Sequence, residues 1–209
     1  MSEKIDRIIA AAPVIPVVTI RVVEDAVPLA RALAAGGLPA VEVTLRTPGS
    51  LAALEAIARN VPEAIAGAGT VLSKGQAKAA AEAGAAFLVS PGATEALILG
   101  IREMGIPWLP GAATASEVMR LREAGFYRQK FFPAEQAGGA AMLKGWGAPL
   151  PDVVFCPTGG ISAANAKDYL SLPNVGCVGG SWVAPSKMIA EKDWAGITAL
   201  AQAAAALPR

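Results

Sequence analysis

Short apolar runs of strand length alternate with alanine-rich runs of helical spacing along the whole of this 209-residue sequence, and that alternation limits its fold more than any other feature. The strand-like runs span residues 14–20, 40–45, 64–71, 86–90, 107–110, 127–132, 153–157 and 175–179. After a short amphipathic helix near 3–11, residues 24–35, 51–59, 74–83, 95–104, 116–124, 139–144, 163–170 and 194–207 carry apolar side chains at helical spacing. Gly36, Gly84, Gly105 and Gly125 stand where helix C-caps belong, and Thr94, Thr114 and Ser162 where N-caps belong. Strict β–α alternation calls for parallel strands joined by right-handed crossovers. Eight such units predict an α/β chain folded as a (β/α)8 TIM barrel with an extra N-terminal helix, ahead of a doubly wound open sheet. Apolar residues make up 54% and charged ones 17%, enough to fill one large core. No linker or low-complexity segment divides the chain, so residues 1–209 read as a single domain.

A barrel gathers its chemistry at the C-terminal ends of many strands, and polar residues stand there repeatedly. The run 127–132 holds Lys130 beside Phe131 and Phe132 and stops at Pro133, whereas the other seven lysines lie on helical or loop segments. Lost hydration disfavours an ammonium and populates the free amine, a nucleophile suited to condensing with a ketone or aldehyde as a Schiff base. The plainer alternative is a buried stem whose ammonium reaches an ion pair at the strand end. In Glu42-Val-Thr-Leu-Arg-Thr47, Glu42, Thr44 and Arg46 share one strand face, and the apolar Val41, Val43 and Leu45 share the helix-facing one. Glu42 is the only carboxylate within any strand-like run. A buried carboxylate is costly unless paired or functional, so Glu42 is an ionic partner of Arg46 or Lys130, a proton shuttle, or both. The Arg46 fork suits a carboxylate or phosphate. Thr158-Gly159-Gly160 and Gly179-Gly180-Ser181 follow the last two strand-like runs, where barrels bind phosphate through backbone N–H groups.

Composition narrows the partners. The net charge is +1 with the charges scattered, which argues against nucleic acid and an anionic membrane surface. There is no histidine, so His-based triads and metal sites that need imidazole are excluded. Cys156 and Cys177 lie in apolar runs without metal-ligand spacing and read as reduced, buried thiols of a cytosolic protein. The run 8–20 is broken by Pro13 and Pro16 and preceded by Glu3 and Asp6, unlike a signal peptide. The uncharged stretch 169–186 is interrupted by Pro173 and Pro185 and is not read as a membrane span. A small phosphorylated molecule is the expected partner, with no metal or other cofactor.

Six stretches, in order along nearly the whole chain, resemble the 2-keto-3-deoxy-6-phosphogluconate (KDPG) aldolase family, the class I aldolases of the Entner–Doudoroff pathway. They are Glu42-Val-Thr-Leu-Arg-Thr47, Gly67-Ala-Gly-Thr-Val71, Ser90-Pro-Gly92, Lys130-Phe-Phe-Pro-Ala-Glu135, Phe155-Cys-Pro-Thr-Gly-Gly160 and Gly179-Gly-Ser-Trp182. The resemblance implies a cytoplasmic homotrimer, a Schiff-base lysine at Lys130 and a proton-shuttling Glu42. It implies that Arg46 and Thr70 hold the pyruvate carboxylate, that Pro91 and Phe132 pack against the pyruvyl part, and that phosphate rests on Thr158, Gly159, Gly160, Gly180 and Ser181. Ala93 stands where the family often carries Leu or Ile, which changes one wall. The glutamate and lysine stretches favour the gluconate over the galactonate branch, and some members also cleave 4-hydroxy-2-oxoglutarate (KHG). Three alternatives stay open from the residues: another enzyme such as an isomerase on the same barrel, a non-catalytic barrel used as a scaffold, and a monomeric or dimeric aldolase.

Overall fold

The computed structural model of the chain describes residues 2–209. Strands β1 (Val14–Val18), β2 (Ala40–Thr44), β3 (Ile65–Gly69), β4 (Phe87–Val89), β5 (Trp108–Leu109), β6 (Gly111–Ala112), β7 (Arg128–Phe131), β8 (Val154–Pro157) and β9 (Val178–Gly180) pair in parallel throughout. Six of them form a curled sheet in the order β5-β4-β3-β2-β1-β9, and the other three form the order β6-β7-β8. Two isolated parallel bridges, Phe155↔Val175 and Thr158↔Gly179, join the second sheet to the β9 segment. Of residues 107–110, expected as one strand, only Trp108–Leu109 is strand, and a further short strand follows at Gly111–Ala112. Pro110 has no N–H to donate; β5 before it pairs with β4, and β6 after it pairs with β7.

Helices α1 (Ser2–Ala10), α2 (Ala26–Ala35), α3 (Ser50–Asn60), α4 (Lys74–Glu82), α5 (Glu95–Met104), α6 (Ala115–Glu123), α7 (Gly139–Trp146), α8 (Ala166–Leu170), α9 (Ser186–Ala190) and α10 (Trp194–Ala205) complete the order. Thr94 and Thr114 cap α5 and α6 as expected. Thr114 and Glu117 form a reciprocal capping box, and the Ala113 N–H foremost holds the Glu117 carboxyl below its ordinary range. Ser162 does not cap a helix. Asn165 accepts from the Ser162 N–H at 2.8 Å, that local bond stabilises a turn over 163–165, and α8 begins only at Ala166. Among the described residues, no helix is long and apolar enough to cross a membrane.

The strand period of two sorts the apolar residues into two layers. Val41 and Val43 face outward and pack with Leu29, Leu33 and Ile57 of the covering helices. Ile15, Phe87, Val89 and Leu109 face inward and meet Ile5, Ile8 and Ile9 of α1. Those three isoleucines recur at the i, i+3, i+4 spacing of one helix face, so α1 lays its apolar stripe across the N-terminal ends of the strands. Arg128 pairs with Asp6 of α1, and the Arg209 guanidinium donates to the Ala10 carbonyl at 3.1 and 3.2 Å. This end of the sheet is filled and tied down, and polar side chains collect at the other.

Candidate active site

Lys130 lies in the middle of β7, in register with Gly111 on one side and Cys156 on the other. Its side chain points inward with those of Arg128 and Phe132, and it is 5% exposed. Glu42, on β2 and 3% exposed, faces it across the interior. Lys130 Nζ stands 3.1 Å from Glu42 Oε1 and 3.4 Å from Oε2, within the reach needed for direct proton transfer. Burying both charges is costly to each alone, and only their pairing offsets that desolvation. Nζ is also 5.3 Å from the centroid of the Phe132 ring, a distance at which a cation is attracted to the ring face.

Room for this pair comes from β3. A Cβ on Gly69 would overlap Glu42 Oε1, and one on Gly67 would overlap the Phe87 ring. The stretch Gly67-Ala-Gly69 is therefore a relief cut into the inner face, a reason the sequence alone does not disclose.

Beyond the pair, toward the C-terminal ends of the strands, Arg46 Nε donates to Thr70 Oγ1 at 3.0 Å. Thr70 holds φ 57°, a left-handed backbone that is costly for a β-branched residue. Pro91 is held close to β6, since a Cβ on Gly111 would overlap the Pro91 backbone. Arg46, Phe132, Thr158, Gly159, Gly160, Gly180 and Ser181 meet around one cavity of about 330 Å³. Lys130, Glu42, Thr70 and Pro91 are not part of its lining; the Phe132 ring links it to the lysine and Arg46 links it to Thr70. Thr158 is 7% exposed, and its Oγ1 has no hydrogen-bond partner.

The glycines of the cavity have structural duties of their own. Gly159 and Gly160 take φ 104° and 76°, accessible to glycine at little cost, and a Cβ on Gly160 would crowd the Glu135 side chain. Glu135 accepts a hydrogen bond from the Tyr169 hydroxyl; burial and then that contact push the tyrosine far above its ordinary range. A Cβ on Gly180 would run into the Trp182 ring. Close approach of a ligand is thus not the sole reason for glycine here. Cys156 and Cys177 are buried and free. The Cys156 side chain, and next burial, pushes the Cys177 thiol well up, which keeps it protonated and inert. Among the described residues, no group of three or more Cys, Asp or Glu is arranged to hold a metal ion.

Residues 5–200 match the family model described as KDPG and KHG aldolase. A 2-dehydro-3-deoxy-phosphogluconate aldolase from Pseudoalteromonas atlantica is 50% identical over 194 residues, covering 93% of this chain and 90% of that protein. The KHG/KDPG aldolase of Escherichia coli K12 is 48% identical over 199 residues, covering 95% and 93%. Among solved structures, the KDPG aldolase from Legionella pneumophila, with pyruvate captured at low pH as a covalent carbinolamine intermediate, matches with a TM-score of 0.94 at 47% identity, covering 96% of this chain and 98% of that one. The corresponding aldolase of Zymomonas mobilis ZM4 with 3-phosphoglycerate also scores 0.94 at 47% identity, covering 98% and 96%.

Proposed function

The chain belongs to the KDPG and KHG aldolase family, and from that premise we propose that it is a class I aldolase with Lys130 as the Schiff-base residue and Glu42 as its proton carrier. Its reaction is the reversible cleavage of 2-keto-3-deoxy-6-phosphogluconate to pyruvate and glyceraldehyde 3-phosphate, the Entner–Doudoroff step. The observation that carries this reading is the buried pair of Lys130 Nζ and Glu42 Oε1, 3.1 Å apart.

The carboxylate of Glu42 takes the ammonium proton and unmasks the amine, which attacks C2 of the substrate. Glu42 returns that proton to the carbinolamine hydroxyl, which leaves as water, and the protonated imine that remains is the electron sink for the next step. Arg46 and Thr70 hold the C1 carboxylate through the guanidinium fork and hydroxyl, and Pro91 and Phe132 pack against the pyruvyl carbons. A base, assigned to Glu42, removes the C4 hydroxyl proton; the C3–C4 bond pair moves to the imine nitrogen, giving an enamine and the free aldehyde. Protonation of the enamine at C3 and hydrolysis of the imine release pyruvate and restore the lysine. The phosphate rests on Thr158, Gly159, Gly160, Gly180 and Ser181, where left-handed glycines and an unpartnered hydroxyl meet. The covalent pyruvate adduct of the Legionella relative and the 3-phosphoglycerate of the Zymomonas one support the two halves of this assignment.

Several finer points belong to the same proposal. The bridges between β8 and the β9 segment support closure of the two sheets into a (β/α)8 barrel, one domain across residues 1–209. The family supports a cytoplasmic homotrimer, and the E. coli relative, named for both substrates, supports a second activity on 4-hydroxy-2-oxoglutarate. The test is to incubate the protein with pyruvate, reduce with borohydride and map the adduct by mass. One pyruvyl group per chain on the Lys130 peptide is expected. Lys130→Arg abolishes it, because a guanidinium stays protonated. An adduct on another lysine, or none on the wild type, would overturn the assignment.

A further inference from the structure

We infer that Thr19 is a specificity-determining residue, accepting a hydrogen bond from the C5 hydroxyl of the phosphorylated substrate and donating none to it; the inference rests on the aldolase reading above. Thr19 lies just past the end of β1 and lines the same cavity as Arg46, Phe132, Thr158 and Ser181. Its Oγ1 is 2.8 Å from Thr44 Oγ1. Thr44 is fully buried, and its own hydroxyl reaches the Val18 carbonyl at 3.0 Å. A carbonyl only accepts, and a hydroxyl has one proton to give. Both contacts are hydrogen bonds together only if Thr44 gives its proton to Val18 and Thr19 supplies the one between the two threonines. What Thr19 turns toward the cavity is lone pairs alone.

That polarity selects the ligand group. A phosphate or carboxylate offers only acceptors and gains nothing from such an oxygen, whereas a hydroxyl can donate to it. The substrate carries hydroxyls on C4 and C5. The C4 hydroxyl must surrender its proton to a base during cleavage, and a neutral threonine oxygen is too weak a base for that. The C5 hydroxyl keeps its proton throughout and lies between the scissile bond and the phosphate. Thr19 is one strand away from the phosphate turn, since β1 runs beside β9 with Pro16 in register with Gly180, and it neighbours Arg46 across the same cavity. The orientation is set by backbone and buried hydroxyl, so it exists before substrate arrives and incurs no reorganisation cost on binding.

The experiment compares kcat/KM for 2-keto-3-deoxy-6-phosphogluconate and its 5-deoxy analogue in the wild type, Thr19→Val and Thr19→Ser. Thr19→Val keeps the shape and removes the oxygen; it is expected to lose about three- to tenfold on the hydroxylated substrate, the scale of one neutral hydrogen bond, and little on the analogue. Thr19→Ser restores the discrimination. Pyruvate trapping at Lys130 involves no C5 hydroxyl and reports that the site of each variant is folded. Equal losses on both substrates, no loss on either, or failure of Thr19→Val to trap pyruvate would overturn the specificity role. A wild type that neither traps pyruvate nor cleaves the phosphorylated substrate would remove the aldolase reading itself, an outcome that no Thr19 variant can mimic.

Discussion

At the N-terminal ends of the strands, Ile5, Ile8 and Ile9 of α1 fill the interior against Phe87 and Leu109; at the C-terminal ends the two sheets present Arg46, Phe132 and Thr158 around an open cavity. Strand β7 contains the whole contrast. Its inward side chains run from Arg128, tied to Asp6 at the closed end, through Lys130, paired with Glu42, to Phe132 in the cavity wall. At the closed end, apolar burial supplies stability, and each isoleucine removed from water contributes about 1.5–3 kcal/mol. At the open end the chain holds a left-handed threonine at 70 and a buried Thr158 hydroxyl without a partner, a condition it shares with Gln129 Oε1 beneath the helices. Backbone strain of the kind seen at Thr70 clusters at functional sites.

If the division holds, substitutions at the open end change chemistry and those at the closed end change stability. The largest effect is expected for Glu42→Gln. It should still trap pyruvate, more slowly, while aldol cleavage and exchange of the pyruvate methyl protons with deuterated water fall by about two to four orders of magnitude. Proton NMR of the methyl signal measures the exchange. Rapid exchange in the variant would assign the proton to Thr70 or water, and a variant that neither folds nor traps would make Glu42 chiefly an ionic partner of Lys130. Next is Ile8→Ala in the plug, expected to lower unfolding free energy by about 2–5 kcal/mol, with kcat per folded molecule unchanged. Denaturant titration beside steady-state kinetics separates the two, and a fall in kcat would break the comparison. The smallest effect is Thr114→Ala, which removes the cap of α6 just past the end of β6, on the open side but outside the cavity lining. It should cost about 1 kcal/mol, read as a shifted denaturation midpoint at constant kinetics.

Local pattern alone determined a good deal about this protein. The alternation of periods gave most of the order of strands and helices, though not the short α9 or β6, because the period of a side-chain pattern is a property of a few consecutive residues. Thr94 and Thr114 were legible as caps because their partners, Leu97 and Glu117, are three residues away. The inward aim of Glu42 followed from alternation within one strand, and so did the presence of Lys130 between phenylalanines and a strand core. Tertiary structure decided everything that depends on which strands meet. Glu42 and Lys130 are 88 residues apart, and their contact exists because the two sheets are packed with β2 opposite β7. The glycines at 67 and 69 have meaning only against Phe87 and Glu42, and the Thr19 hydroxyl finds its partner in Thr44, 25 residues on. Ser162 lost its cap to Asn165, and Pro110 stands between β5 and β6, which belong to different sheets. A sequence states which face each side chain takes; the distance across the interior is set by the packing of all the strands and helices together, which no local stretch contains.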